Sequence, residues 1–399
     1  MKSVKWMALG LVLAALVAGC KGFWDLPPST TTSNPTTPTT LSSGVFYVLD
    51  QTTKQVVGYS ITSGVVGAIS GGSQTLSSAP FSIVVAPNGD FLYVGTVNGI
   101  YLFTIGSGGA LTAANGGAPI STDIPAAMVI SGPWLVDAFN IASGSVQMDA
   151  IAIDASTGAY VGPGGTPPGQ TFNIANAVVK QMVLSPDNAN FFVALGTGGT
   201  IAVPFAAGNA NPLGTTATTI PLANSSGSAL SVAVDPSATP RLFYIGETNA
   251  NSAGNSGGLR AFNYSSLGSG TLTQAAGSPM PTGGLSPNAI LPIATGDYVY
   301  VANGAGDTAA GNIAWFPITA SGTTYTVAAG KTVASGIEPS GLAEDSSSNF
   351  VLAVSTGGTT NSGDPDLEAY TMSSGALTAA LTAATGTDPT GALAIAALP

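Results

Sequence analysis

The sequence predicts an all-β fold: a seven-bladed β-propeller of four-stranded antiparallel blades, its ring closed by the C-terminal strand pairing with N-terminal strands. Three observations carry this. A degenerate repeat, clearest in Phe91-Leu-Tyr-Val-Gly-Thr-Val-Asn-Gly-Ile-Tyr-Leu-Phe-Thr-Ile105, recurs seven times. Its copies are spaced by roughly 43–57 residues, which suits a four-stranded blade. The first copy lacks its opening strand, and the chain ends on a surplus one, Pro389–Leu398.

Each copy opens on a short apolar run, such as Phe81 to Ala86, Leu230 to Asp235 or Asn288 to Ala294. A tight turn follows, as in Pro87-Asn88-Gly89-Asp90 or Ser185-Pro186-Asp187-Asn188. Pro presets φ there, and Asn or Gly accepts a positive φ. The second strand is the strongest, rich in the aromatic and β-branched residues that fit a pleated surface. The seven are Val45–Asp50, Phe91–Thr96, Trp134–Phe139, Phe191–Gly196, Leu242–Glu247, Tyr298–Asn303 and Phe350–Ser355. Third strands are expected at Gln55–Ile61, Ile100–Ile105, Asp149–Asp154, Thr200–Phe205, Leu259–Tyr264, Asn312–Ile318 and Leu367–Met372. A weak fourth strand closes the unit, marked by Gly109-Ala-Leu-Thr112, Gly270-Thr-Leu-Thr273 and Gly375-Ala-Leu-Thr378. Pairing the tail with Val45–Asp50 leaves neither edge open. An open solenoid would need polar terminal caps, and this tail is apolar.

Residues 1–19 read as an export signal. Lys2 and Lys5 give a positive start, and Met7 to Val17 an apolar run too short to span a bilayer comfortably. Val17-Ala18-Gly19-Cys20 resembles the bacterial lipoprotein signal, which implies lipidation of Cys20, the chain's one cysteine. Lys21 after that Cys implies, by the same resemblance, the outer membrane. Residues 20–43 hold the lipidated Cys and a Thr/Ser/Pro-rich tether that cannot bury a core. The propeller occupies residues 44–399. Its expected setting is the envelope, lipid-anchored, facing the periplasm or the cell surface.

Charged residues make up 7% of the chain and the formal net charge is −11. Nucleic acid is excluded as a partner, since phosphate binding needs clustered Lys and Arg. The chain has no His. That removes Ser-His-Asp triads, His metal sites and His proton shuttles. With Cys20 committed to lipid, thiol catalysis goes too. No cofactor is expected.

Several segments resemble the lactonase-type seven-bladed propeller family. They are Ala79-Pro80, Ala86-Pro87-Asn88-Gly89-Asp90-Phe91-Leu92-Tyr93-Val94, Gly109-Ala110-Leu111-Thr112, Leu272-Thr273-Gln274-Ala275-Ala276-Gly277-Ser278-Pro279 and Ser286-Pro287-Asn288. The resemblance implies a hydrolytic site at the ring's central mouth, using His, Arg and Glu, with a Pro-His step entering a first strand. The matching steps here are Pro80-Phe81, Pro125-Ala126, Pro287-Asn288, Pro339-Ser340 and Pro389-Thr390, with Val179-Lys180 in blade four. None carries His, so the resemblance transfers the fold and leaves the activity without its imidazole.

Pockets favour such mouths, and the residues flanking the strand entries are the candidates. For binding these are Asp123, Lys180, Gln181, Asn288, Ser340 and Thr390. For acid–base work they are Lys180 with Glu338 or Asp388; the competing reading pairs Lys180 with a surface carboxylate. Asp364, Asp366 and Glu368 alternate along one segment and could share a face toward Ca²⁺; a solvated loop is the preferred reading. Arg260, within a third strand, either clamps an anion or covers apolar surface and pairs with Glu247. The first reading of function is a lipid-anchored binding or interaction module for a small ligand or an envelope protein. The alternative is a lactonase-like hydrolase working through carboxylates and Lys180.

Overall fold

In the computed structural model the described residues are 44–399, apart from 63–64, 143, 163–166, 238, 251–255, 270, 307–308, 323, 358–364 and 383–387. Residues 1–43, where the export signal, Cys20 and the tether are expected, and Asp364 lie outside them.

Seven antiparallel sheets follow one another along the chain. Blade one joins Ala392–Ala397 to Val45–Asp50, Gln55–Thr62 and Val65–Thr75. Blade two is Pro80–Val85, Phe91–Thr96, Gly99–Ile105 and Leu111–Ala113. Blade three is Ala127–Ser131, Trp134–Ala142, Ser145–Ala152 and Gly169–Asn173. Blade four is Gln181–Leu184, Asn190–Ala194, Thr200–Pro204 and Thr218–Ile220. Blade five is Ala229–Val234, Leu242–Glu247, Gly258–Asn263 and Met280–Pro281. Blade six is Ser286–Pro292, Tyr298–Gly304 and Ala310–Ser321. The last of these is long enough to pair with both Thr324–Val327 and Lys331–Ile337. Blade seven is Pro339–Glu344, Phe350–Ser355, Leu367–Ser373 and Ala376–Thr382.

The first strand of each blade packs against that of the next, and blade seven's packs against blade one's, so the ring is closed. Each seam holds its own apolar cluster. Second strands sit between two seams and are buried on both faces. Phe46 and Val48 face blade seven while Val45, Tyr47 and Leu49 face blade two. That is why they read as continuous apolar runs with little polar alternation.

A side-chain bond to backbone stitches every seam near the inner strands. Gln51 Nε2 donates to Pro80 O (3.1 Å) and Ser82 Oγ to Pro125 O (2.8 Å). Asn140 accepts the N–H of Val179 (2.9 Å), and Gln181 Oε1 accepts that of Val232 (2.9 Å). Ser231 Oγ donates to Pro287 O (2.6 Å), Asn288 Nδ2 to Pro339 O (3.0 Å) and Ser340 Oγ to Ala392 O (3.0 Å).

Two strand expectations need correction. The third strand of blade three is Ser145–Ala152, earlier than Asp149–Asp154, because the second strand continues past Phe139 to Ala142 before turning. Of the segment Gly270-Thr-Leu-Thr273, the described residues Thr271, Leu272 and Thr273 form no fourth strand. A 3₁₀ helix, Tyr264–Ser269, takes up the turn, Leu272 packs into the seam with blade four, and the outer strand is Met280–Pro281.

Candidate functional site at the central channel

The first strands surround a channel whose mouth encloses about 570 Å³. In five blades these strands carry a bulge near their start, where one residue is skipped in the pairing: Phe81, Leu230, Asn288, Ser340 and Leu393. A bulge frees a residue from the ladder and re-aims its side chain, and all five line the channel. Ala126 and Lys180 immediately precede the first strands of blades three and four and line it too. The mouth therefore receives one such residue from each blade: four apolar, plus Lys180, Asn288 and Ser340.

Glu338, on the link between blades six and seven, adds a carboxylate. Its φ of 52° lies in the left-handed region, which a side chain other than glycine's enters at a cost of about 1–2 kcal/mol. Its carboxylate accepts the Gly306 N–H at Oε1 (2.6 Å) and Asn288 Nδ2 at Oε2 (3.4 Å). Its carbonyl accepts the N–H of Thr356, another channel residue (3.2 Å). The neighbours thus fix the backbone and the carboxylate together. Lys180 is exposed and forms no ion pair with Glu338 or Asp388.

The structure brings Lys180, Gln181, Asn288, Glu338 and Ser340 to the mouth. Gln181, Asn288 and Ser340 spend hydrogen bonds on seams as well.

Asp388 and Thr390 are corrections. Asp388 accepts the backbone N–H groups of Asp366 and Leu367, and burial raises its carboxyl above the usual range. The N–H of Thr390 goes to Asp50 (3.2 Å). Both precede a strand that starts only at Ala392, so the channel position of blade one falls to Leu393. Asp123 is corrected likewise: it lies before the Pro125-Ala126 step, in a separate cleft with Ser121, Ile151 and Tyr160.

Asp366 and Glu368 do not sit in a solvated loop. Both are buried. Asp366 accepts the Gly391 N–H (2.7 Å), and Glu368 Oε2 is held by Tyr370 Oη (2.6 Å), Ser335 Oγ (3.1 Å) and Gly336 N (3.0 Å). Arg260 pairs with Glu247 (2.6 Å) and lies over the Phe262 ring.

Sequence reasoning missed Leu230 and Leu393, because no Pro marks the Ala229-Leu230 or Ala392-Leu393 step. It also passed over Asp137 and Asp149. The available signal was an Asp within a second strand, where other copies carry aliphatic residues.

No protein-family model matches the chain, and no curated protein matches it in sequence. Solved structures share its fold. The periplasmic gluconolactonase PpgL of Pseudomonas aeruginosa is 17% identical at a TM-score of 0.64, over 89% of this chain and 99% of that one. A candidate 6-phosphogluconolactonase of Bacteroides uniformis is 16% identical at 0.63, with the same coverage. A protein of unknown function from Desulfotomaculum acetoxidans is 13% identical at 0.62, again over 89% and 99%. The chain thus has the fold of lactonase-type seven-bladed propellers.

Proposed function

We propose that this chain is an exported, lipid-anchored propeller whose channel mouth takes up a small uncharged sugar lactone and hydrolyses it. The observation that carries the reading is Glu338, whose backbone sits at a positive φ and whose carboxylate, held by two donors, lines the channel. Backbone strain of this kind collects at functional sites. The names of two structural neighbours, a gluconolactonase and a candidate 6-phosphogluconolactonase, support a lactone as the substrate class.

The chemistry needs no imidazole. Glu338 accepts a proton from water as the oxygen attacks the lactone carbonyl. The Lys180 ammonium favours the oxyanion that develops and can return a proton to the ring oxygen as the C–O bond breaks. Phe81, Leu230 and Leu393 offer apolar surface to the sugar's C–H faces. A phosphorylated lactone fits less well, because Lys180 is the one Lys or Arg among the residues lining the mouth.

A second reading is binding of a ligand or an envelope protein without turnover. It is favoured by Gln181, Asn288 and Ser340, whose hydrogen bonds serve the seams.

Hydrolysis of unphosphorylated aldonolactones by the purified chain, followed by acid release at constant pH, decides between them. Turnover lost in Glu338→Gln and reduced in Lys180→Ala supports the hydrolase. A chain that binds lactones without turnover leaves the binding module. Turnover indifferent to both substitutions removes this site from the chemistry.

A further inference from the structure

A second group of carboxylates lies in the seam between blades two and three. Asp137 and Asp149 face each other across adjacent strands of blade three, and both are buried. Asp123 reaches them from the link between the two blades. One carboxylate oxygen from each lies within 4.8 Å of the other two.

The position of Asp137 is anomalous within the repeat. It pairs with Met128. The corresponding pairs are Val94 with Ile83 in blade two, Ile245 with Val232 in blade five, and Val301 with Ile290 in blade six. A carboxylate thus stands where three sister blades bury an aliphatic side chain.

The protein compensates its other buried carboxylates. Glu247 meets Arg260, and Glu368 receives Tyr370, Ser335 and Gly336. The cluster is served far less. Asp137 Oδ1 accepts the Asp149 N–H (3.3 Å), Asp149 Oδ1 accepts Gln147 Nε2 (2.6 Å), and Asp123 Oδ2 accepts Ser121 Oγ (2.5 Å). Asp137 Oδ2 is buried with no hydrogen-bond partner, and no ion pair reaches the three among the described residues. An uncompensated buried charge is strongly unfavourable, so the cluster must be neutralised, by protons or by a cation.

We propose that Asp123, Asp137 and Asp149 bind a hard divalent cation, Ca²⁺ by preference. All three donors are oxygens, which hard cations select. Two oxygen ligands of one Ca²⁺, each at roughly 2.4 Å, stand at most about 4.8 Å apart, and the three carboxylate oxygens lie within 4.8 Å of one another. Asp123 also lines a cleft of about 430 Å³ with Ser121 and Tyr160, and water entering there would complete the shell on its side. Gly169, opposite Asp149 in register, leaves room for the Asp149 carboxylate, since a Cβ there would collide with it. The ion would clip the link between blades two and three to the face of blade three.

The test is calorimetric titration of the EDTA-treated full chain with Ca²⁺, beside melting curves with and without the ion. One equivalent should bind and raise the melting temperature. Asp123→Asn should weaken binding by about tenfold or more. Asp137→Val, which restores the residue type of the sister blades, should fold and lose both binding and the thermal shift. If that variant does not fold, Asp123→Asn decides. Absence of binding up to roughly 10 mM Ca²⁺, Mg²⁺ or Mn²⁺ would overturn the proposal and leave protons as the cluster's compensation. Binding unchanged in both variants would overturn it by placing the ion elsewhere.

Discussion

The phenol of Tyr300 donates to the carbonyl of Gly375, in the next blade, at 3.0 Å. Tyr47 makes the same reach to Gly109 (2.9 Å) and Tyr93 to Gly158 (2.8 Å). Each glycine has a positive φ, and a Cβ would strike the preceding blade at every one. A second-strand tyrosine thus latches the outer turn of its neighbour. Burial raises all three phenols, that of Tyr47 to about 12, so they remain proton donors at neutral pH.

Removing one of these hydroxyls leaves a carbonyl without its partner, which costs about 1–3 kcal/mol. Tyr300→Phe and Tyr93→Phe should each lower stability to urea by that amount. They act at separate seams, so the double variant should show the sum within about 0.5 kcal/mol. A double variant no worse than either single would mean the latches do not act independently.

Arg260 and Glu247 are buried together, and Glu247 also accepts the Ala223 N–H (2.8 Å). Arg260→Met strands the carboxylate and should cost about 3–5 kcal/mol. Adding Glu247→Gln removes the stranded charge and should recover much of that loss. Chemical denaturation of the two variants measures it. A double variant as unstable as Arg260→Met would show that packing over Phe262, and not the charge, sets the cost.

The physics of the seams explains what could be read in the sequence. Second strands buried on both faces must be apolar at nearly every position, so Val45–Asp50 and Leu242–Glu247 stand out without a partner in view. The closing strand was legible because a surplus apolar run must find an edge. The Gly-Ala-Leu-Thr motifs were visible, but their purpose required the tyrosine one blade away. Channel residues were legible where Pro marks the strand entry, as at Asn288 and Ser340. They were not where a bulge alone selects them, as at Leu393, since a bulge depends on pairing with Leu49 and Asp50. Asp137 looked like one polar residue in a strand; its meaning comes from Asp149 across the ladder and Asp123 from the link.

Burial raises the Glu368 carboxyl above its ordinary value of 4.5. Between that value and its folded one, the folded chain holds a proton that the unfolded chain has released. Stability from this group is therefore complete below about pH 4.5 and declines as pH rises through the folded value. Glu368→Gln cannot titrate and should show a shallower fall in melting temperature from pH 4.5 toward neutrality. Parallel curves for the two proteins would assign the pH dependence to other groups.

The export reading has its own check. If Cys20 carries the anchor, Cys20→Ala should move the protein from the membrane to the soluble fraction on cell fractionation. Retention at the membrane would call for a different attachment.

Ring closure rests on Ala392–Ala397, paired with Val45–Asp50 and tied at its end by the Leu398 N–H to the Val45 carbonyl (2.8 Å). Ala394 and Leu398 pack toward blade two, Ile395 and Ala397 toward blade seven. Deleting residues 389–399 opens both seams at once and bares the edge of Val45–Asp50. The two large side chains, Ile395 and Leu398, are partly buried and contribute at most about 3–6 kcal/mol. Domains of 150–250 residues lose roughly 2–4 °C per kcal/mol and a larger ring loses less for each, so the melting temperature should fall by several degrees. A synthetic peptide of residues 389–399 should restore part of the loss by pairing with the open edge. A truncated chain that melts like the intact one, with or without peptide, would mean that the seven blades hold together without this strand.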